Sequence, residues 1–143
     1  MLMTKTIQES IADLNRDQLP FLILLGAKVL DLDPIEQTCK MEFNVDTQLC
    51  HSVDVVQGGF VTAMLDAAMS HVLWGLDHSI VNMSSLEIHT TYLEPTRAGK
   101  ILAEGKIVKA GYKTGFFEAK LYTSDGVLTA TGTSVGKLSR KVD

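Results

Sequence analysis

Apolar positions near the start of the chain recur at helical spacing. Ile7, Ile11 and Leu14 follow Thr6-Ile7-Gln8-Glu9, which has the form of a capping box, so a short amphipathic helix is predicted over Ile7–Asn15. Pro20 suits the first position of a second helical turn and Gly26 its end. Ala27–Asp33 alternates as a strand does, and Asp33-Pro34 marks a turn. From Glu36 to Val45 the period is two. Cys39, Met41, Phe43 and Val45 fall on one face and Thr38, Lys40, Glu42 and Asn44 on the other, as in a half-buried strand. A polar loop, 46–54, follows.

The alternation then stops. Val55-Val56-Gln57-Gly58-Gly59 leads into an apolar stretch that ends at Leu76. Between Asp54 and Asp77 the only carboxylate is Asp66, and there is no Lys or Arg. A helix without a polar face is a buried helix. Phe60 to Leu76 would run about 25 Å, enough to cross a small domain. Asp66 and His71 near its middle make it a poor membrane span. Thr62, Asp66 and Ser70 recur every fourth position and share one helical face. A carboxylate on a core helix is costly unless it is paired or used.

Beyond this helix, Ser84–Leu93, Lys100–Ala110, Gly115–Ser124 and Val127–Leu138 are rich in Ile, Val, Thr, Tyr and Phe and read as strands, with Asp125-Gly126 a hairpin signal. About six strands and one long helix predict an α+β architecture, an antiparallel sheet wrapped on the helix, within a single domain over 1–143. The exposed sheet edge needs cover, and pairing with a second chain is one solution.

Composition narrows the class. The apolar and charged fractions, 45% and 21%, are ordinary for a soluble protein. A net charge of −4 argues against nucleic acid as the main partner. Met1-Leu2-Met3-Thr4-Lys5 runs into a polar segment, so no signal peptide is expected. Cys39 and Cys50 are too few for a disulfide framework and read as reduced thiols of a cytoplasmic protein. His71, His78 and His89 have no metal-ligand spacing with them, so no metal site is expected.

Four segments, in order, carry a resemblance. They are Leu19-Pro20-Phe21 through Leu25-Gly26; Val56-Gln57-Gly58-Gly59 with Asp66 nine residues after Gln57; Thr91-Tyr92-Leu93-Glu94-Pro95; and Ser124-Asp125-Gly126 followed by Ala130. Together they resemble the hotdog fold and, within it, the PaaI-like acyl-CoA thioesterases. Two positions depart from the family pattern: Gln57 stands where the signature His is usual, and His51 where Asn or Gln is common.

Thioester hydrolysis requires stabilisation of the developing oxyanion and a supplied or activated nucleophile. Gly58 and Gly59 open the helix, so their N–H groups lack intrahelical partners and sit at its positive end. The Gly58 N–H is therefore the expected carbonyl-polarising group, and Asp66 the general base or direct nucleophile; the resemblance gives the matching residues these same roles. Eight residues separate them, about 12 Å along a helix. One thioester carbonyl can hardly meet both in one chain, so a site made by two antiparallel helices of two subunits is expected, with two equivalent sites per homodimer. The family is likewise built from hotdog dimers; a dimer of dimers, a homotetramer, is a further expectation.

Gln57 is a third catalytic candidate. Gly59, His51, Ser70 and Ser85 are candidate substrate-binding residues, Ser70 because it lies one turn after Asp66. For the coenzyme A phosphates the best candidates are Lys106, Lys109 and Lys113 around Gly111, with Arg97 and Lys100, or Lys137, Arg140 and Lys141, as rivals. Coenzyme A is part of the substrate, and no separate cofactor, nucleic acid or membrane partner is expected. The leading expectation is hydrolysis of an acyl or arylacyl thioester to the acid and free coenzyme A. The alternatives are an enoyl-thioester hydratase of the same fold, which would want a His one turn from Asp66, and a non-catalytic acyl-CoA-binding module.

Overall fold

The computed structural model describes residues 1–142. Two short helices, α1 (Ile7–Arg16) and α2 (Pro20–Leu24), precede strands β1 (Lys28–Asp33) and β2 (Thr38–Val45). The long helix α3 (Gly58–Leu76) follows, then β3 (Ile80–Tyr92), β4 (Gly99–Ala110), β5 (Thr114–Thr123) and β6 (Leu128–Arg140). The strands form one antiparallel sheet in the order β1-β2-β4-β5-β6-β3. The sheet wraps α3, which is the expected hotdog arrangement.

Local chemistry places the elements where the pattern put them. Thr6 accepts a hydrogen bond from the Glu9 N–H while the Glu9 carboxylate accepts one from the Thr6 N–H, closing the capping box at α1. Pro20 opens α2. Gly26 turns the chain into β1 at φ +63°, with its Cα against the backbone of Asn44, where a side chain would collide. Cys39, Met41, Phe43 and Val45 of β2 all point into the core. Both cysteines are free, and burial pushes the Cys39 thiol up to about 12, with Asp31 adding to the shift.

Helix α3 begins two residues before the predicted stretch, at Gly58, and eleven of its residues are buried. It is long and apolar enough to cross a membrane by length and composition, and it is the core helix of the sheet. Gly105 of β4 lets α3 lie close, because a Cβ there would strike the carbonyl of Ala68. The C-terminal end of α3 is locked by the buried Asp77, which accepts from Ser79 and from Arg140 Nη1 at 2.9 Å.

The largest difference from the sequence reading is β3. It starts at Ile80 rather than Ser84 and runs thirteen residues along one edge of the sheet, with most of its length exposed. Its pairing with β6 shifts register between Ser85 and Glu87, a β-bulge at Leu86. The buried side of β6 carries Ala130, Gly132, Ser134, Gly136 and Leu138; opposite them stand Tyr92, Thr90, Ile88, Ser85 and Met83. Counting back by twos from Tyr92 would turn Leu86 toward the helix. The extra residue sends Leu86 out, 64% exposed, and turns Ser85 in.

Candidate active site

The face of α3 that carries Gly58, Thr62 and Asp66 lies against this inward row of β3. Tyr92 Oη donates to the Gly58 carbonyl at 2.8 Å and lies 3.0 Å from Thr62 Oγ1, which is itself 2.8 Å from Thr90 Oγ1. One turn further on, Ser85 Oγ donates to an Asp66 carboxylate oxygen at 3.1 Å. Asp66 is half-buried, and that desolvation raises its pKa above the usual carboxylate range, while the Ser85 hydrogen bond pulls it back down. A carboxylate of raised basicity, held by one hydroxyl and partly open, suits proton abstraction or attack.

The start of α3 is held by the loop before it. The Gln57 N–H donates to Leu49, the Val56 N–H to Thr96 and the Ala98 N–H to Asp54, while Arg97 forms an ion pair with the Asp54 carboxylate at 2.7 Å. Gln57 is the N-cap but makes no side-chain capping bond, so its exposed amide is free to meet a ligand. Among the described residues the N–H groups of Gly58 and Gly59 have no acceptor. Nothing lies within 4 Å of the Cβ position of Gly59. A cavity of about 360 Å3 beside the helix end is lined by His51, Gly58, Tyr92, Glu94 and Pro95 among others. His51 shares its Nδ1 with Ser52 Oγ at 2.8 Å.

His51, Gln57, Gly58 and Gly59 thus gather at one end of α3, and Asp66 with Ser85 lies about 12 Å along it. The Ser70 hydroxyl donates to the Ala67 carbonyl at 3.1 Å and makes no bond to Asp66. Gly111 and Lys113 sit in the β4–β5 turn, and Gly111 shares a cavity with Asp77 and Arg140 at the far end of α3. One chain does not bring them to Gly58. Of the expected phosphate-binding cations, Arg97, Lys100 and Arg140 are held in ion pairs with Asp54, Glu42 and Asp77. Among the described residues Lys106, Lys109 and Lys113 form none, nor do Lys137 and Lys141.

Tyr92 and Thr62 are the contacts that the sequence reading did not assign to the site. Tyr92 belongs to the Thr91–Pro95 segment, and the recurrence of Thr62 with Asp66 was the available signal; their meeting depends on the strand partner, which spacing along one element does not reveal.

The sequence matches the profile of the thioesterase superfamily over residues 54–130, more than half of the chain. No curated protein matches it. Among solved structures it is similar to a thioesterase from Haemophilus influenzae, at 19% identity and a TM-score of 0.83, covering 100% of this chain and 98% of that one. It is similar to a thioesterase family protein from Silicibacter pomeroyi, at 21% identity and 0.81, covering 95% and 100%. It is also similar to the PaaI protein from the phenylacetic acid degradation operon of E. coli, at 15% identity and 0.79, covering 93% and 94%. At these identities the structures speak for the fold, and the profile, spanning the glycine pair, Asp66 and β3 through β5, speaks for the family: the chain belongs to the thioesterase superfamily.

Proposed function

We propose that the protein is a cytoplasmic acyl-CoA thioesterase that hydrolyses an acyl or arylacyl thioester to the free acid and coenzyme A, at sites shared between the two subunits of a homodimer. The observation that carries this reading is the placement of Asp66. Its carboxylate is raised in basicity by burial and held by Ser85, yet it stands two helical turns from the free N–H groups of Gly58 and Gly59. A reacting carbonyl must lie within roughly 3–3.5 Å of its attacking atom, so both groups can serve one thioester only if they come from different chains. The long exposed edge of β3, unpaired along its outer side, supports edge-to-edge pairing with a second copy. Such pairing is compatible with antiparallel α3 helices; two of these dimers pairing would give the tetramer.

In that dimer the Gly58 N–H of one subunit polarises the thioester carbonyl, with Gly59, Gln57 and His51 around it, and Asp66 of the other acts on the carbonyl carbon. Acting as base, Asp66 takes a proton from water as the water oxygen bonds to carbon. The oxyanion collapses, the C–S bond breaks, and Asp66 returns the proton to the departing thiolate. Acting as nucleophile, its carboxylate displaces the thiolate to give an anhydride that water then opens. Ser70 lines the half-exposed face beside Asp66. Lys106, Lys109 and Lys113 around Gly111 offer charge for the phosphates of coenzyme A.

A screen of short, long and aromatic acyl-CoA thioesters with thiol detection tests the reading. Thiol release that disappears in Asp66→Asn supports it. Loss of enoyl absorbance without thiol release would point to a hydratase, and tight binding without turnover to a binding module.

A further inference from the structure

A third cavity, of about 240 Å3, lies between α1, the segment leading into α2, and α3. Its apolar walls are Leu14, Leu19, Leu22 and Trp74, and Lys5 and Asp13 line it as an ion pair at 2.7 Å. Two of its polar groups are satisfied from within the chain. Ser10 Oγ donates to the Gly75 carbonyl at 2.7 Å, and His78 takes the Thr4 N–H on Nδ1 at 2.9 Å with Nε2 3.3 Å from Ser10 Oγ.

His71 is different. It is 3% exposed, and its Nδ1 lies 2.7 Å from the Ala67 carbonyl. A carbonyl only accepts, so Nδ1 carries the proton and Nε2 is left as a lone-pair acceptor. Burial lowers the pKa of the imidazole, with the Ala67 bond opposing, which keeps the ring neutral. Among the described residues Nε2 has no partner. The residue is almost wholly enclosed, and the space beside it is this cavity. Nε2 is thus an open acceptor facing a cavity whose walls mix Leu14, Leu19, Leu22 and Trp74 with Lys5, Asp13 and Asp17, and a ligand that brings a donor can fill it.

The half-exposed stripe of α3 leads there from the proposed chemistry. Asp66, Ser70 and Trp74 follow one another at intervals of four, and Trp74 is a wall of the cavity in edge contact with His71. The rise from Asp66 to Trp74 is about 12 Å, the reach of a medium-length acyl chain. We propose that this cavity receives the far end of the acyl group and that His71 selects chains tipped with a hydroxyl or amino group, whose hydrogen Nε2 accepts. The proposal rests on the thioesterase reading for the identity of the ligand. The recognition itself depends only on the cavity and His71.

Trp74 is the one tryptophan in the chain, so its fluorescence reports on a wall of this cavity. Two measurements pair naturally: hydrolysis of decanoyl-CoA against 10-hydroxydecanoyl-CoA, and fluorescence titration with the two corresponding free acids. The expected result is a preference for the hydroxylated member of about tenfold or more in both, because a site built around a polar partner rejects the analogue that lacks it. His71→Leu should abolish the preference while the protein still binds the alkyl acid, and His71→Gln, which keeps an acceptor, should restore part of it. Equal response to the two acids, or a preference that survives His71→Leu, overturns the proposal. Failure of both thioesters to hydrolyse, with the fluorescence preference intact, would overturn the thioesterase reading and leave the recognition by His71 standing.

Discussion

Ser85 reaches the carboxylate of Asp66 only because Leu86 is an extra residue in its strand. Helix and strand meet at three points, Gly58 with Tyr92, Thr62 with Thr90 and Tyr92, and Asp66 with Ser85. The first two follow from simple alternation, and the third needs the bulge. Bulges re-aim side chains in this way, and here the re-aimed hydroxyl meets the one acid on the core helix.

Removing the charge of Asp66 separates activity from stability. Asp66→Asn should lower kcat by several orders of magnitude. Its effect on folding has the opposite sign. The folded pKa is raised, so the ionised form disfavours folding, and stability present below the usual carboxylate value of 3.8 is lost as pH rises through the folded pKa. At pH 7 the Asn variant should therefore melt above wild type, and the difference should vanish in acid below 3.8. Thermal melts at pH 7 and pH 3 check this. A variant that melts lower at pH 7 would contradict it.

Ser85→Ala removes the hydrogen bond that favours the ionised carboxylate. The pKa of Asp66 should rise further, so the acid limb of the kcat/KM profile should move to higher pH. An unmoved acid limb would mean that Asp66 is not the group whose ionisation limits the rate.

Gly58→Pro tests the amide without breaking the helix. Gly58 is the first helical residue, where proline is well tolerated, and Gln57 before it has φ −57° and ψ 135°, a conformation proline accepts in its neighbour. No acceptor loses a bond. A Cβ there would lie 3.1 Å from the Tyr92 hydroxyl, the end of a side chain that has to give by only a few tenths of an ångström. The variant should keep its circular dichroism and melting temperature to within a few degrees, while kcat falls about a hundredfold or more through loss of one oxyanion donor.

The lock at the far end of α3 is structural. Burial alone would raise the pKa of Asp77, but hydrogen bonds from Ser79, Arg140 and Leu2 outweigh it and hold the carboxyl at about 2. Stability from this group is therefore present above 3.8 and is lost as pH falls toward 2. Arg140→Met leaves Asp77 buried without its cation, and should cost about 3–5 kcal/mol at pH 7. Urea unfolding at pH 7 and pH 2 should show the penalty shrinking in acid.

Much of this was legible in the sequence. The period of two in β2, the capping box of α1, and the uninterrupted apolar stretch after Gln57 each express local chemistry, and each matches its element. Thr62, Asp66 and Ser70 do share a face, yet Ser70 bonds the Ala67 carbonyl behind it, because a helical serine finds its own backbone before it finds a neighbour one turn away. The first residues of β3 were missed because Ile80-Val81-Asn82-Met83 does not alternate; a second register shift, between Ile80 and Asn82, disrupts it. The meeting of Ser85 with Asp66 also lay outside local reading, since it depends on a bulge and on which strand packs beside the helix. The engagement of Arg97, Lys100 and Arg140 in ion pairs depends on pairing across the sheet and between loops, which composition does not carry.

The most direct test of the shared site is complementation between Asp66→Asn and Gly58→Pro subunits. Each homodimer alone should be nearly inactive. Co-expressed with different tags and assorting at random, the two should form mixed dimers in which one site carries both lesions and the other carries neither, restoring roughly a quarter of wild-type activity to the mixture and half to the purified mixed dimer. No recovery in the purified mixed dimer would mean that Asp66 and Gly58 act within a single chain, and the account of a site built by two subunits would be wrong.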